Sequence, residues 1–97
     1  MNNIFEITDK TGKKFLLTNE RWTHIRKDHP NVELEEIENT ITKPIRIIEV
    51  SKEKHYYFNY FKHKNFKNKF LRVIVKYKNP SWLIMTAHFV NRMQENG

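Results

Sequence analysis

Two apolar runs near the end of the chain limit its fold more than any other stretch: 70–77, Phe-Leu-Arg-Val-Ile-Val-Lys-Tyr, and 82–90, Trp-Leu-Ile-Met-Thr-Ala-His-Phe-Val. Both are dense in β-branched and aromatic residues, and Lys78, Asn79, Pro80 and Ser81 between them form a turn cluster, so the pair reads as a β-hairpin. Alternation sorts each strand into two faces. Leu71, Val73, Val75 and Tyr77, with Leu83, Met85, Ala87 and Phe89, make a core face. The opposite face combines Phe70, Arg72, Ile74 and Lys76 with Trp82, Ile84, Thr86, His88 and Val90. Its guanidinium, ammonium, hydroxyl and imidazole stand among apolar neighbours, which marks it as the face for chemistry.

Upstream, Ile4 to Ile7 and Lys14 to Leu17 flank a turn whose Gly12 tolerates positive φ, predicting a short hairpin. A first helix is predicted from about Glu20 to His29, capped by Thr18 or Asn19 and stopped by Pro30, with Trp22, Ile25 and His29 on its buried stripe. A second carries Val32, Leu34, Ile37 and Ile41 at helical spacing with acids between, and ends at Lys43-Pro44. Strands over Ile45 to Val50 and His55 to Phe61 and a basic loop over Phe61 to Lys69 complete the chain. The order predicts a single α+β domain over residues 1–97: an N-terminal β-hairpin and two helices packed on one face of a four-stranded antiparallel sheet.

Charge is concentrated. Of the net +7, residues 1–51 contribute 8 Lys/Arg against 9 Asp/Glu, whereas 52–78 contribute 9 against 1, a local excess of +8. That segment interleaves Lys62, Lys64, Lys67 and Lys69 with Tyr56, Tyr57, Phe58, Tyr60, Phe61 and Phe66, which pairs charge for phosphates with rings for bases. RNA is the partner such a surface fits; a solvated Lys-rich loop is the plainer reading. There is no Cys, hence no thiolate metal site and no cysteine nucleophile. No apolar run has the length of a leader or a membrane span, so a cytoplasmic protein without membrane contact is expected.

Metal catalysis finds little support, because the acids of 33–38 have the spacing of a solvated helix face and the functional sheet face has none. His24 and His29 lie about 140° apart around a helix, which is not the spacing of a two-histidine metal site. No metal and no cofactor are expected. Neither Ser51 nor Ser81 sits in a nucleophile elbow. Acid and base chemistry on a phosphodiester needs only a proton acceptor, a donor and a cation. His24, His29, Arg72, Thr86 and His88 are the catalytic candidates, with Tyr57, Lys62, Lys64, Lys67, Lys69 and Lys76 as RNA contacts. Each has a structural alternative: His29 as a helix C-cap, His88 and Thr86 as ordinary strand residues, and Arg72 as the partner of an acid such as Glu36.

The succession Trp22-Thr23-His24-Ile25, His29-Pro30, Lys43-Pro44, Tyr56-Tyr57, Leu71-Arg72-Val73-Ile74-Val75 and Ile84-Met85-Thr86-Ala87-His88 resembles the phage- and mobile-element-associated nuclease domains of the barnase, EndoU, colicin and RelE (BECR) group. The resemblance implies a metal-independent ribonuclease, toxin-like, acting on tRNA or other cellular RNA by 2′-hydroxyl attack to a 2′,3′-cyclic phosphate. It carries over His24 and His29 as helix-borne site residues, Arg72 and Thr86 on strands, His88 less securely, and Tyr57 as a substrate contact. The competing class is a non-catalytic module that binds RNA, or an acidic antitoxin or immunity protein, through the same basic surface.

Overall fold

The computed structural model describes residues 3–62 and 68–94. Its elements are β1 (Asn3–Thr8), β2 (Lys14–Thr18), α1 (Asn19–Asp28), α2 (Leu34–Thr42), β3 (Arg46–Ser51), β4 (Lys54–Tyr60), β5 (Phe70–Lys78) and β6 (Ser81–Val90). The class is α+β, as expected, and both helices pack on one face of the sheet through Ile25, Ile37 and Ile41, with Val32 of the connecting loop beside them.

Local signals set the element ends. Asp9 closes the first turn by accepting from Thr11 N and Lys13 N, each at 2.9 Å, and Gly12 takes the positive φ that the turn requires. Thr18 caps α1 by accepting from Arg21 N at 3.2 Å, and Glu20 faces the helix N-terminus. Thr18→Ala is expected to lower stability by about 1 kcal/mol, seen as a drop of several degrees in Tm. A reciprocal capping box joins Glu33 and Glu36 at the start of α2, and Asn59 of β4 donates to the Lys43 carbonyl at its end, 3.2 Å away.

The sheet departs from the expected four antiparallel strands. It has six, in the order β1-β2-β6-β5-β4-β3, and it is mixed. The opening hairpin joins it through a short parallel pairing of β2 with β6, Phe15 opposite Trp82 and Leu16 opposite Leu83. The reason is an exposed edge. Without β2, β6 would present a row of unpaired backbone groups along its outer side, and the hairpin supplies partners for its first part.

A second correction concerns β6. Ile74 lies opposite Thr86 but Val75 lies opposite Ile84, so Met85 is an extra residue and the strand changes face there. Ala87 and Phe89 occupy the helix-side core as expected, but Trp82 and Ile84 join them in place of Leu83 and Met85. The bulge leaves Thr86, His88 and Val90 on the Arg72 side. That side is not bare: Tyr56, Phe58 and Val90 form a second small core there, flanked by Ile48, Val50, Phe70, Ile74 and Met93.

Candidate functional site

The central pair of strands builds the site. Their register sets Arg72 directly opposite His88, and on the other side of β5 Arg72 lies opposite Phe58. The guanidinium is therefore enclosed by the second core, and Arg72 is only 8% exposed. Its Nε and Nη2 both reach His88 Nε2, at 3.2 and 2.6 Å, its Nη1 donates to the Gln94 carbonyl at 3.1 Å, and the Tyr56 ring lies 5.1 Å from its centre. No carboxylate among the described residues pairs with it. Glu36, the partner open to it from the sequence, is buried in the α2 capping box instead.

His29 completes the cluster from the helix side. As the C-cap of α1 it donates its backbone N–H to Ile25 O at 2.7 Å, and its ring lies 5.2 Å from that of His88, tilted by 31°. The residue that caps α1 is thus also the one whose ring meets His88. The pairing of β2 with β6 ends at Leu83, so the later part of β6 is a sheet edge past which His29 reaches His88.

The electrostatics of His88 follow from this packing. Burial first, then the charge of Arg72, then His29, push its imidazole down to about 4. It is neutral at neutral pH, and because Nε2 accepts from the guanidinium, its proton resides on Nδ1.

The remaining candidates divide. Thr86, partly buried, shares the Arg72 face two positions along β6 from His88, opposite Ile74. Lys76 is exposed on that face, opposite Lys54, whose ammonium stands 5.8 Å from the Tyr56 ring. Lys62 is exposed and Lys69 donates to its carbonyl at 3.4 Å, while Lys64 and Lys67 lie outside the described residues. Two candidates lie apart from the cluster. His24 lies on the exposed surface of α1, and no described contact joins it to the cluster. Tyr57 is 1% exposed on the helix side, edge-on to Phe15, and burial pushes its phenol up to about 12; a ring so enclosed has no face for a base. The aromatic ring that does meet Arg72 is its neighbour Tyr56, which the sequence offers only as one ring of the basic segment, while Lys54 and the Gln94 carbonyl carry no sequence signal as site groups.

A search of protein-family models, characterised proteins and solved structures finds no match for this chain. The residues must speak for themselves. Among the described residues no three potential metal ligands come together, and no helix is long and apolar enough to cross a membrane. What the cluster offers is a cation, two imidazoles and a hydroxyl, a set able to hold a phosphate and move protons on it.

Proposed function

We propose that the chain is a metal-independent, toxin-like endoribonuclease of the barnase, EndoU, colicin and RelE type, acting on tRNA or other cellular RNA. The observation that carries this reading is the buried guanidinium of Arg72, which bonds the His88 imidazole, itself packed on the His29 ring, and meets no described carboxylate. A buried cation of this kind is completed by an anion, and a planar fork of donors fits two phosphate oxygens.

The steps follow from the contacts. A phosphate oxygen takes the position of the Gln94 carbonyl at Nη1, and a second draws Nε and Nη2 away from His88, which frees its Nε2 lone pair. The anion beside it raises the affinity of that imidazole for a proton. His88 then accepts the 2′-hydroxyl proton as the 2′-oxygen attacks phosphorus. His29, as the general acid, gives a proton to the departing 5′-oxygen as the P–O bond breaks, leaving a 2′,3′-cyclic phosphate. Arg72 and the Thr86 hydroxyl hold the oxyanion that develops between these events.

The experiment is incubation of the purified protein with total RNA and with tRNA in excess EDTA, followed by analysis of the new ends. Discrete fragments with 2′,3′-cyclic phosphate are expected, lost on His88→Gln and on His29→Gln. One observation favours the rival class: with its lone pair engaged by Arg72, His88 is a structural acceptor until something displaces it. RNA that stays intact yet shifts on a native gel assigns that class, a module binding RNA. Intact RNA with no shift, but capture of an acidic antitoxin or immunity protein, assigns its protein-binding form.

A further inference from the structure

Three large apolar side chains stand exposed among the described residues: Ile45, Ile47 and Tyr60. Ile47 lies opposite the core residue Tyr57, on the helix side, and Ile45 two positions before it shares that side. Tyr60 alone is on the face of Arg72, and register fixes its place there. Arg46, Phe58, Arg72 and His88 form one row across β3 to β6, and Tyr60, Phe70 and Val90 form the next. Tyr60 is therefore the diagonal neighbour of two arginines, Arg72 on β5 and Arg46 on β3. Such neighbours stand about 7–8 Å apart, within reach of a ring and a long side chain.

The Tyr60 ring is 47% exposed, and the ring it meets is Phe70, 5.4 Å away and tilted by 53°. The strand end that carries it is finished. β3 pairs with β4 no further than Arg46 opposite Phe58, and the Tyr60 N–H, which points toward β3, donates to the Asn59 side chain at 2.8 Å. The ring is thus not exposed because an edge awaits another strand. Arg46 and Lys62 beside it are exposed, and Arg46 meets no described carboxylate. None of the residues that β3 to β6 place on this face is an acid.

We propose that Tyr60 is a base-stacking subsite for the nucleotide next to the phosphate at Arg72, with the outer phosphate of that nucleotide held by Arg46. An aromatic side chain accepts the π-face of any base. The order cation, ring, cation across Arg46, Tyr60 and Arg72 repeats the order phosphate, base, phosphate along a nucleic-acid strand, whereas an acidic peptide would use the cations alone. The choice of RNA as the strand, and of Arg72 as the place of its phosphate, rests on the ribonuclease reading. Stacking itself is tested without cleavage.

The test uses a labelled, uncleavable 2′-deoxy hexanucleotide and its abasic counterpart, with affinity read by fluorescence anisotropy. The natural sequence is expected to bind the strand with bases about tenfold more tightly than the abasic one. Tyr60→Leu, which keeps an apolar side chain against Phe70 but no ring, should erase that preference while leaving affinity for the abasic strand unchanged. Tyr60→Phe should keep the preference. Arg46→Gln should weaken both strands alike and reduce the steepness of the salt dependence by about one counterion. The proposal is overturned if the natural sequence does not distinguish the two strands, if Tyr60→Leu keeps the preference or weakens both strands alike, or if Arg46→Gln changes neither affinity nor salt dependence. Cleavage of RNA is scored separately. Cutting without any Tyr60-dependent preference removes only the subsite, whereas Tyr60-dependent binding without cutting keeps the subsite and removes the nuclease.

Discussion

Arg72→Met is expected, on the ribonuclease reading proposed above, to lower RNA cleavage by at least about a hundredfold in a protein that is as stable as the natural sequence or more so. The two halves of this expectation come from the same contacts. Without a described carboxylate, the guanidinium loses the water that solvates it and gains only hydrogen bonds to an imidazole and a carbonyl plus a ring face. Replacing a buried charge by an apolar side chain of similar length is commonly neutral or stabilising, and Met would extend the core of Tyr56, Phe58 and Val90. Transition-state charge, by contrast, would lose its principal donor. The measurement is thermal unfolding beside a cleavage assay, with Arg72→Lys as a second variant that keeps the charge but not the fork. A variant that loses cleavage only in step with its Tm would return Arg72 to a structural role.

Acidification from pH 7.5 to 4.5 destabilises the protein, and His88 is the main cause. Its pKa is about 4 in the folded chain against 6.5 as the ordinary value. Between those limits the unfolded chain binds a proton that the folded chain refuses, so protons draw the equilibrium toward unfolding. The stability contributed by the neutral imidazole is whole above pH 6.5, declines as pH falls to 4 and is gone below that. Allowing for solvent screening at a partly exposed ring, the loss is about 2 kcal/mol. His55, its pKa lowered by burial, with Lys13 adding to the effect and Glu49 opposing it, acts in the same direction. Denaturant melts across this range should show the decline, and His88→Gln, which keeps a carbonyl to accept from Arg72, should remove most of it. Parallel pH curves for the two proteins would sink the assignment.

Much of this architecture is legible in the chain because its signals are local. Thr18 before a run of helix formers, Pro30 and Pro44 after such runs, and the turn around Gly12 each act within a few residues, and the elements begin and end close to where these signals fall. That Arg72 and His88 share a face is read from the alternation of each strand, but their direct opposition depends on the extra residue at Met85, since the turn alone would set Arg72 against Ala87. What stays hidden depends on distant partners. Nothing near Phe15 announces that its neighbour is Trp82, and nothing in a smooth apolar run marks Met85 as the residue that shifts the pairing. The choice between Tyr56 and Tyr57 turns on the register of β4 against β5, where one step exchanges core and site. His24 stands apart because the C-terminal end of α1 meets β6, which brings the cap residue and not the mid-helix histidine to the cluster.

The seating of the first hairpin beside the last strand also dictates an order of events during synthesis. Residues 3–18 are made well before β6, yet β6 is their neighbour in the sheet. They must wait as an unanchored ribbon while everything between them is translated, and this long-range closure is the kind of contact that slows folding. The same strand delivers His88. If the proposed ribonuclease reading holds, the chain has no complete site until β6 has been made and paired, which would keep a nascent copy harmless to the messenger and tRNAs around it.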